Sequence, residues 1–163
     1  MKFHHVAVFV SDTDRALVLW RDVLGFSVVA DRTIPDTDAG DQSRMSQNLL
    51  DDIFKVQNAT SRMVLLQSEE GALIELQQPS VPEIRRTPPE SLQYGHTGIH
   101  EVAFLVDDID GWFEKIRNAG YETQTDYVWK WGVTGKSFLF YDDDGNMIQF
   151  NWQPDNSVPA WRS

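Results

Sequence analysis

Four polar side chains stand where apolar strand-like runs would otherwise be unbroken. His5 opens His5-Val-Ala-Val-Phe-Val10 and Glu101 opens Glu101-Val-Ala-Phe-Leu-Val106. Glu75 interrupts Leu73-Ile-Glu-Leu76, and Gln149 interrupts Met147-Ile-Gln-Phe150. Strand side chains alternate between faces, so His5 shares a face with the small Ala7, opposite the branched Val6, Val8 and Val10. Glu75 falls on the face of Leu73 and Gln149 on that of Met147, with Ile74 and Ile148 pointing away. A carboxylate in an apolar strand is costly unless a cation, a proton or water meets it. Two readings follow: a cation meets these carboxylates, or the polar groups hydrogen-bond a ligand or one another in a metal-free cavity.

The elements that must position these groups come as a degenerate repeat. Residues 4–21 align without gaps on residues 100–117, with His4/His100, Val6/Val102, Ala7/Ala103, Val10/Val106, Asp12/Asp108, Asp14/Asp110 and Arg21/Arg117 identical. Each copy reads as a buried strand followed by an Asp suited to cap a helix. A helical stripe comes next, Thr13-Ala16-Leu17-Trp20 or Ile109-Trp112-Phe113-Ile116, and then a stop at Gly25 or Gly120. Thr13 is the polar exception in its stripe. Three further strands are expected after each helix: Phe26–Asp31, Arg62–Gln67 and Ala72–Gln77, then Tyr121–Tyr127, Lys136–Tyr141 and Met147–Trp152. Asp143-Asp144-Gly145-Asn146 has strong turn chemistry, and Ser68-Glu69-Glu70-Gly71 is its looser counterpart. The organisation is βαβββ twice, an α+β chain read as one domain: module 1 over about 1–78, a linker over 79–98, module 2 over about 99–153 and a tail over 154–163.

Residues 33–60 form a polar insertion in the first module, where Met45, Leu49, Leu50, Ile53 and Phe54 fit a short amphipathic helix, either a lid or an extra packing element. Four of the seven prolines fall in the linker. Trp129-Lys130-Trp131 either lines the mouth of a cavity or packs as an exposed loop. His96 and His100 read as linker or helix-side residues.

Composition bounds the function. The 163 residues carry 14 Lys and Arg against 25 Asp and Glu, a net charge of −11 and a pI near 4.6. That balance argues against nucleic acid and anionic membranes as partners, since both reward positive charge. No window approaches eighteen consecutive apolar residues, so no spanning helix is expected, and Met1-Lys-Phe-His-His5 lacks a secretory apolar region. With no Cys, disulfides, thiolate metal sites and thiol nucleophiles are excluded. A cytoplasmic enzyme or binding protein is the expectation.

The opening His5-Val-Ala-Val-Phe-Val-Ser-Asp with Leu19-Trp-Arg-Asp-Val-Leu-Gly-Phe26, the second His100-Glu-Val-Ala-Phe-Leu-Val-Asp-Asp-Ile-Asp110, and the closing Asp142-Asp-Asp-Gly-Asn-Met-Ile-Gln-Phe150 resemble the vicinal oxygen chelate superfamily. That superfamily includes glyoxalase I, methylmalonyl-CoA epimerase, extradiol dioxygenases, and fosfomycin- and bleomycin-resistance proteins. The resemblance implies two βαβββ modules forming a curled mixed sheet around a central cavity, usually in a homodimer with a small-molecule substrate. It also implies that His5, Glu75, Glu101 and Gln149 are the metal ligands, with two departures: Glu101 where a His is usual and Gln149 where a Glu is usual. Such an oxygen-rich set suits Mn, Co, Ni, Zn or Mg. It disfavours Fe, whose ring-cleaving triad wants two His and one carboxylate, unless a bulge exchanges His100 for Glu101. A divalent ion at vicinal oxygens stabilises enediolate or enolate charge, with Glu75 or Glu101 as the catalytic base. The expectation is a glyoxalase-like lyase or an isomerase or epimerase acting on a small carbonyl or aromatic metabolite. A metal-free drug-binding protein of the bleomycin-resistance kind and an extradiol-type dioxygenase are the alternatives.

Overall fold

A computed structural model describes residues 1–36 and 45–155. The chain divides into two compact units, one of Met1–Arg86 and one beginning at Thr87, and each carries one four-stranded mixed sheet.

In the first unit the strands are β1 (Val6–Phe9), β2 (Ser27–Ile34), β3 (Thr60–Gln67) and β4 (Leu73–Val81), in the order β1-β4-β3-β2. β1 runs parallel to β4, and the other pairs are antiparallel. Helix α1 (Thr13–Leu17) is capped by Asp12, whose carboxylate accepts from the Asp14 and Arg15 amides. The helix continues over Val18–Val23 with wider turns, Leu24 N–H reaching the Leu19 carbonyl at 2.8 Å, and Leu19 and Trp20 are both buried. Gly25 ends it at φ +83°, a backbone conformation that a β-carbon disfavours. Thr13, the polar exception in the stripe, is fully buried because its N–H and hydroxyl both donate to Gln78 Oε1, at 2.9 and 2.7 Å. One face of the sheet supplies Val8, Val10, Val64, Leu66, Ile74 and Leu76 to the core with Ala16, Leu17 and Trp20.

The inserted helix α2 (Gln47–Phe54) is capped by Ser46. It buries Leu50 in a cluster with Ile34 and Ala59, joined by Met45, Phe54, Val56 and Met63. Leu49 and Ile53, expected on the inward stripe, are exposed; the buried stripe runs through Leu50 and Phe54 instead. Asp51 holds the following turn, accepting from Gln47 Nε2 and from the Asn58 and Ala59 amides. This part of the insertion is therefore a packing element. Residues 37–44 of the insertion and 156–163 of the tail lie outside the described residues.

In the second unit β5 (Glu101–Leu105), β6 (Trp129–Trp131), β7 (Gly135–Tyr141) and β8 (Met147–Trp152) adopt the matching order β5-β8-β7-β6, with β5 parallel to β8. Helix α3 (Ile109–Asn118), capped by Asp108, buries Ile109, Phe113 and Ile116, while the sheet buries Phe138, Phe140, Ile148 and Phe150. Edge-on ring contacts join Phe138 to Phe113 and Phe150 to Phe140. Two expectations are corrected. Tyr121–Tyr127 is not a strand; it makes an isolated bridge at Thr123, and the fourth strand is Trp129–Trp131. Side-chain bonds to backbone divert it: Thr125 Oγ1 donates to the Tyr127 carbonyl at 2.6 Å and Arg117 to that of Asp126, competing with a ladder. Residues 79–81, expected as linker, extend β4.

Candidate functional site

The face of the first sheet opposite α1 carries the candidate chemistry. Register places Ala30, Leu65, Glu75 and Ala7 side by side across four strands, and beside them Arg32, Met63, Gln77 and Phe9. A cavity of about 230 Å³ opens there, lined by Ala30, Arg32, Ile34, Asp36, Met45, Met63, Leu65, Glu75 and Gln77. α2 borders the same face, Phe54 meeting Phe9 at 6.2 Å between ring centroids.

Glu75 is held at one oxygen and open at the other. Gln77 Nε2 donates to Glu75 Oε1 at 2.9 Å, and Gln77 Oε1 accepts from the buried Ser61 hydroxyl at 2.5 Å. The remaining oxygen, Oε2, lies 3.9 Å from His5 Nε2, too far for a hydrogen bond, with the two side chains 23% and 35% exposed. His5 Nδ1 lies 2.7 Å from His4 Nδ1. If the proton sits on His5 Nδ1 and is donated to His4, Nε2 is left with its lone pair as a metal ligand requires. Two donors each about 2.0–2.2 Å from one ion stand about 3–4 Å apart, so His5 and Glu75 fit a divalent ion as two of its ligands. Among the described residues no group of three His, Asp or Glu is arranged to hold a metal.

In the second unit Glu101 begins β5 opposite Met147, and Gln149 lies between Ala103 and Leu139. Asn151 Nδ2 donates to Gln149 Oε1 at 3.0 Å, repeating the Gln77–Glu75 arrangement two residues along the matching strand. Trp129 shares the row of Ser137, Asn151 and Leu105. Trp131 lies over Gly135, where a β-carbon would meet its ring at 2.6 Å, so this tryptophan pair is the half-buried edge of the sheet and not a loop.

Glu101 accepts a 2.5 Å hydrogen bond from the Tyr94 hydroxyl. Burial of that hydroxyl, then the bond to Glu101, raises the Tyr94 phenol to about 12. A raised phenol pKa contributes stability that is complete below the ordinary value of 10.0 and lost as pH climbs through about 12. Ultraviolet titration is therefore expected to show one of the four tyrosines ionising late, at about 12, and Tyr94→Phe removing that step. A uniform transition near the ordinary value contradicts it.

His100 lies outside β5. Its Nε2 is 2.5 Å from the His96 carbonyl and its Nδ1 3.2 Å from that of Leu92, so both ring nitrogens are engaged by backbone. His100→Ala is expected to leave metal content unchanged; loss of metal in that variant would reassign the donor from Glu101 to its neighbour. Sequence reasoning did not single out Gln77, Ser61 or Asn151 beside the site. Its available signal was the shared spacing of Glu75-Leu-Gln77 and Gln149-Phe-Asn151.

A family model described as Glyoxalase/Bleomycin resistance protein/Dioxygenase superfamily matches residues 2–150. The chain belongs to this superfamily. The superfamily's fold recurs in a glyoxalase-family protein from Bacillus cereus, with TM-score 0.75 at 15% identity, covering 94% of each chain. A glyoxalase-family protein from Enterococcus faecalis is similar at TM-score 0.63 and 19% identity, over 92% of this chain and 96% of that one. The fosfomycin resistance protein FosX from Listeria monocytogenes, in complex with Mn(II) and sulfate, is similar at TM-score 0.57 and 14% identity, over 93% and 91%. No curated protein matches the sequence. The superfamily contains metalloenzymes as well as binding proteins, and no helix among the described residues is long and apolar enough to cross a membrane.

Proposed function

We propose that this chain is a divalent-metal-dependent lyase or isomerase of the glyoxalase type, acting on a small carbonyl compound. The observation that carries the proposal is the open Glu75 oxygen, 3.9 Å from His5 Nε2, beside an apolar-walled cavity. A divalent ion held by His5 and Glu75 supplies Lewis acidity to neighbouring substrate oxygens; Mn(II) bound to FosX supports the choice of a divalent ion. The sequence repeat makes Glu101 and Gln149 the remaining candidate donors. Gln77 fixes the Glu75 carboxylate through one oxygen; the other either binds the ion with His5 or, when free of it, takes the proton next to a substrate carbonyl. Ser61 fixes Gln77 in turn, so the amide presents its N–H₂ and not its carbonyl to Glu75. The apolar wall of Ala30, Ile34, Met45, Met63 and Leu65 limits competing water.

Solvent-exchange NMR in D₂O tests this reading. Small ketoaldehydes and oxo compounds are incubated with protein and Mn or Ni, and deuterium is expected to enter at the carbon beside the carbonyl, with exchange abolished by chelator. A second reading, a metal-free ligand-binding protein of the bleomycin-resistance kind, is favoured by one observation: no third His, Asp or Glu joins the His5–Glu75 pair among the described residues. Tight binding of aromatic compounds, unaffected by chelator and without any exchange, decides for it.

A further inference from the structure

The two arginines near this sheet face opposite ways and meet opposite surroundings. Arg62, on the α1 side, donates to Asp31 at 3.0 and 2.7 Å and to Asp14 at 2.7 Å; these hydrogen bonds raise its own pKa and lower that of Asp31. Arg32 follows Asp31 by one residue, so it points to the other face, into the wall of the cavity. There it is half-buried, and among the described residues its guanidinium makes no ion pair or hydrogen bond. Its immediate cross-strand neighbour is Met63, and Gln77 lies one strand further. Asp36 also lines the cavity but does not pair with it. A guanidinium that lines the cavity and is paired with neither of its carboxylates, Asp36 or Glu75, is poorly compensated, and its planar fork matches a carboxylate through two parallel bonds.

We infer that Arg32 binds a carboxylate of the substrate, so that the cavity selects small oxo acids over neutral carbonyl compounds. Geometry sets the size. β2 and β4 are separated by one strand, about 10 Å between their axes, and the Arg32 side chain spans part of that distance. A carboxylate at Arg32 and a carbonyl near Glu75 then belong to one short molecule. The volume of about 230 Å³ is below that of pockets for drug-sized ligands, roughly 300–1,000 Å³, so a bulky thiol conjugate does not fit within it. The orientation toward Glu75 rests on the enzymatic reading above; the carboxylate contact at Arg32 does not.

Calorimetric titration of the full chain, purified without chelator, tests the inference with pyruvate, acetoacetate and levulinate, each against its methyl ester. At least one acid is expected to bind about tenfold or more tightly than its ester, the scale of a charged hydrogen bond. Arg32→Gln is expected to level the pair, and Arg32→Lys to restore part of the preference. Should Arg32→Gln not fold, the wild-type salt dependence replaces it: added salt weakens the acid and leaves the ester unchanged. Esters binding as well as acids, a preference surviving Arg32→Gln, or no acid binding would overturn the assignment. Acid binding through Arg32 that is indifferent to Glu75→Gln, without proton exchange, supports the carboxylate site while rejecting the catalytic reading.

Discussion

Replacing Glu75 with alanine is expected to yield a folded protein that no longer retains a divalent ion and has lost proton-exchange activity by about 10²–10⁴-fold, the range for removal of a positioned general base. The fold is expected to survive because Glu75 is partly exposed and its hydrogen-bond partner Gln77 keeps its own bond to the buried Ser61. His5→Ala is expected to lose the ion as well, since its Nε2 and the open Glu75 oxygen are the paired donors. Circular dichroism, metal content and exchange rate measured on the same preparations separate the outcomes. Retention of full exchange activity by Glu75→Ala would remove this residue from the site.

Leu50→Ala is expected to destabilise the first unit by about 2–5 kcal/mol, the cost of emptying a buried leucine position, measured as a shift in urea midpoint at constant slope. Leu50 is 1% exposed and packs with Ile34 and Ala59, against Met45 and Met63. Ile34, Met45 and Met63 also line the cavity, so weakened ligand binding is expected alongside the loss of stability. A variant with wild-type stability and impaired binding alone would make α2 a lid resting on the sheet instead of part of its core.

The repeat was the most legible feature because each of its signals has a local cause. Asp12 and Asp108 cap helices through hydrogen bonds within three residues, and β8 runs over Met147–Trp152 as its pattern predicts. The misread strand at Tyr121–Tyr127 lacked such a cause: Thr125 and Arg117 bond backbone carbonyls that pattern alone does not reveal. The helix over residues 47–54 was legible in kind but not in facing, because Leu49, Leu50, Ile53 and Phe54 permit two stripes and contact with Ile34 selects one. At the site, alternation correctly set His5 and Glu75 on the face opposite α1. It could not show the bond from Gln77 or that Arg32 has no charge partner among the described residues, since both depend on which β3 residues lie between the strands.

Elemental analysis of the full chain, purified without chelator or metal-affinity steps and compared with His5→Ala, decides whether His5 and Glu75 hold a divalent ion. About one divalent ion per chain, Mn, Co, Ni, Zn or Mg, is expected to be retained by the wild type or taken up on dialysis and lost in the variant. A wild-type protein that binds none of these ions, or a His5→Ala protein that binds them equally well, would contradict that expectation.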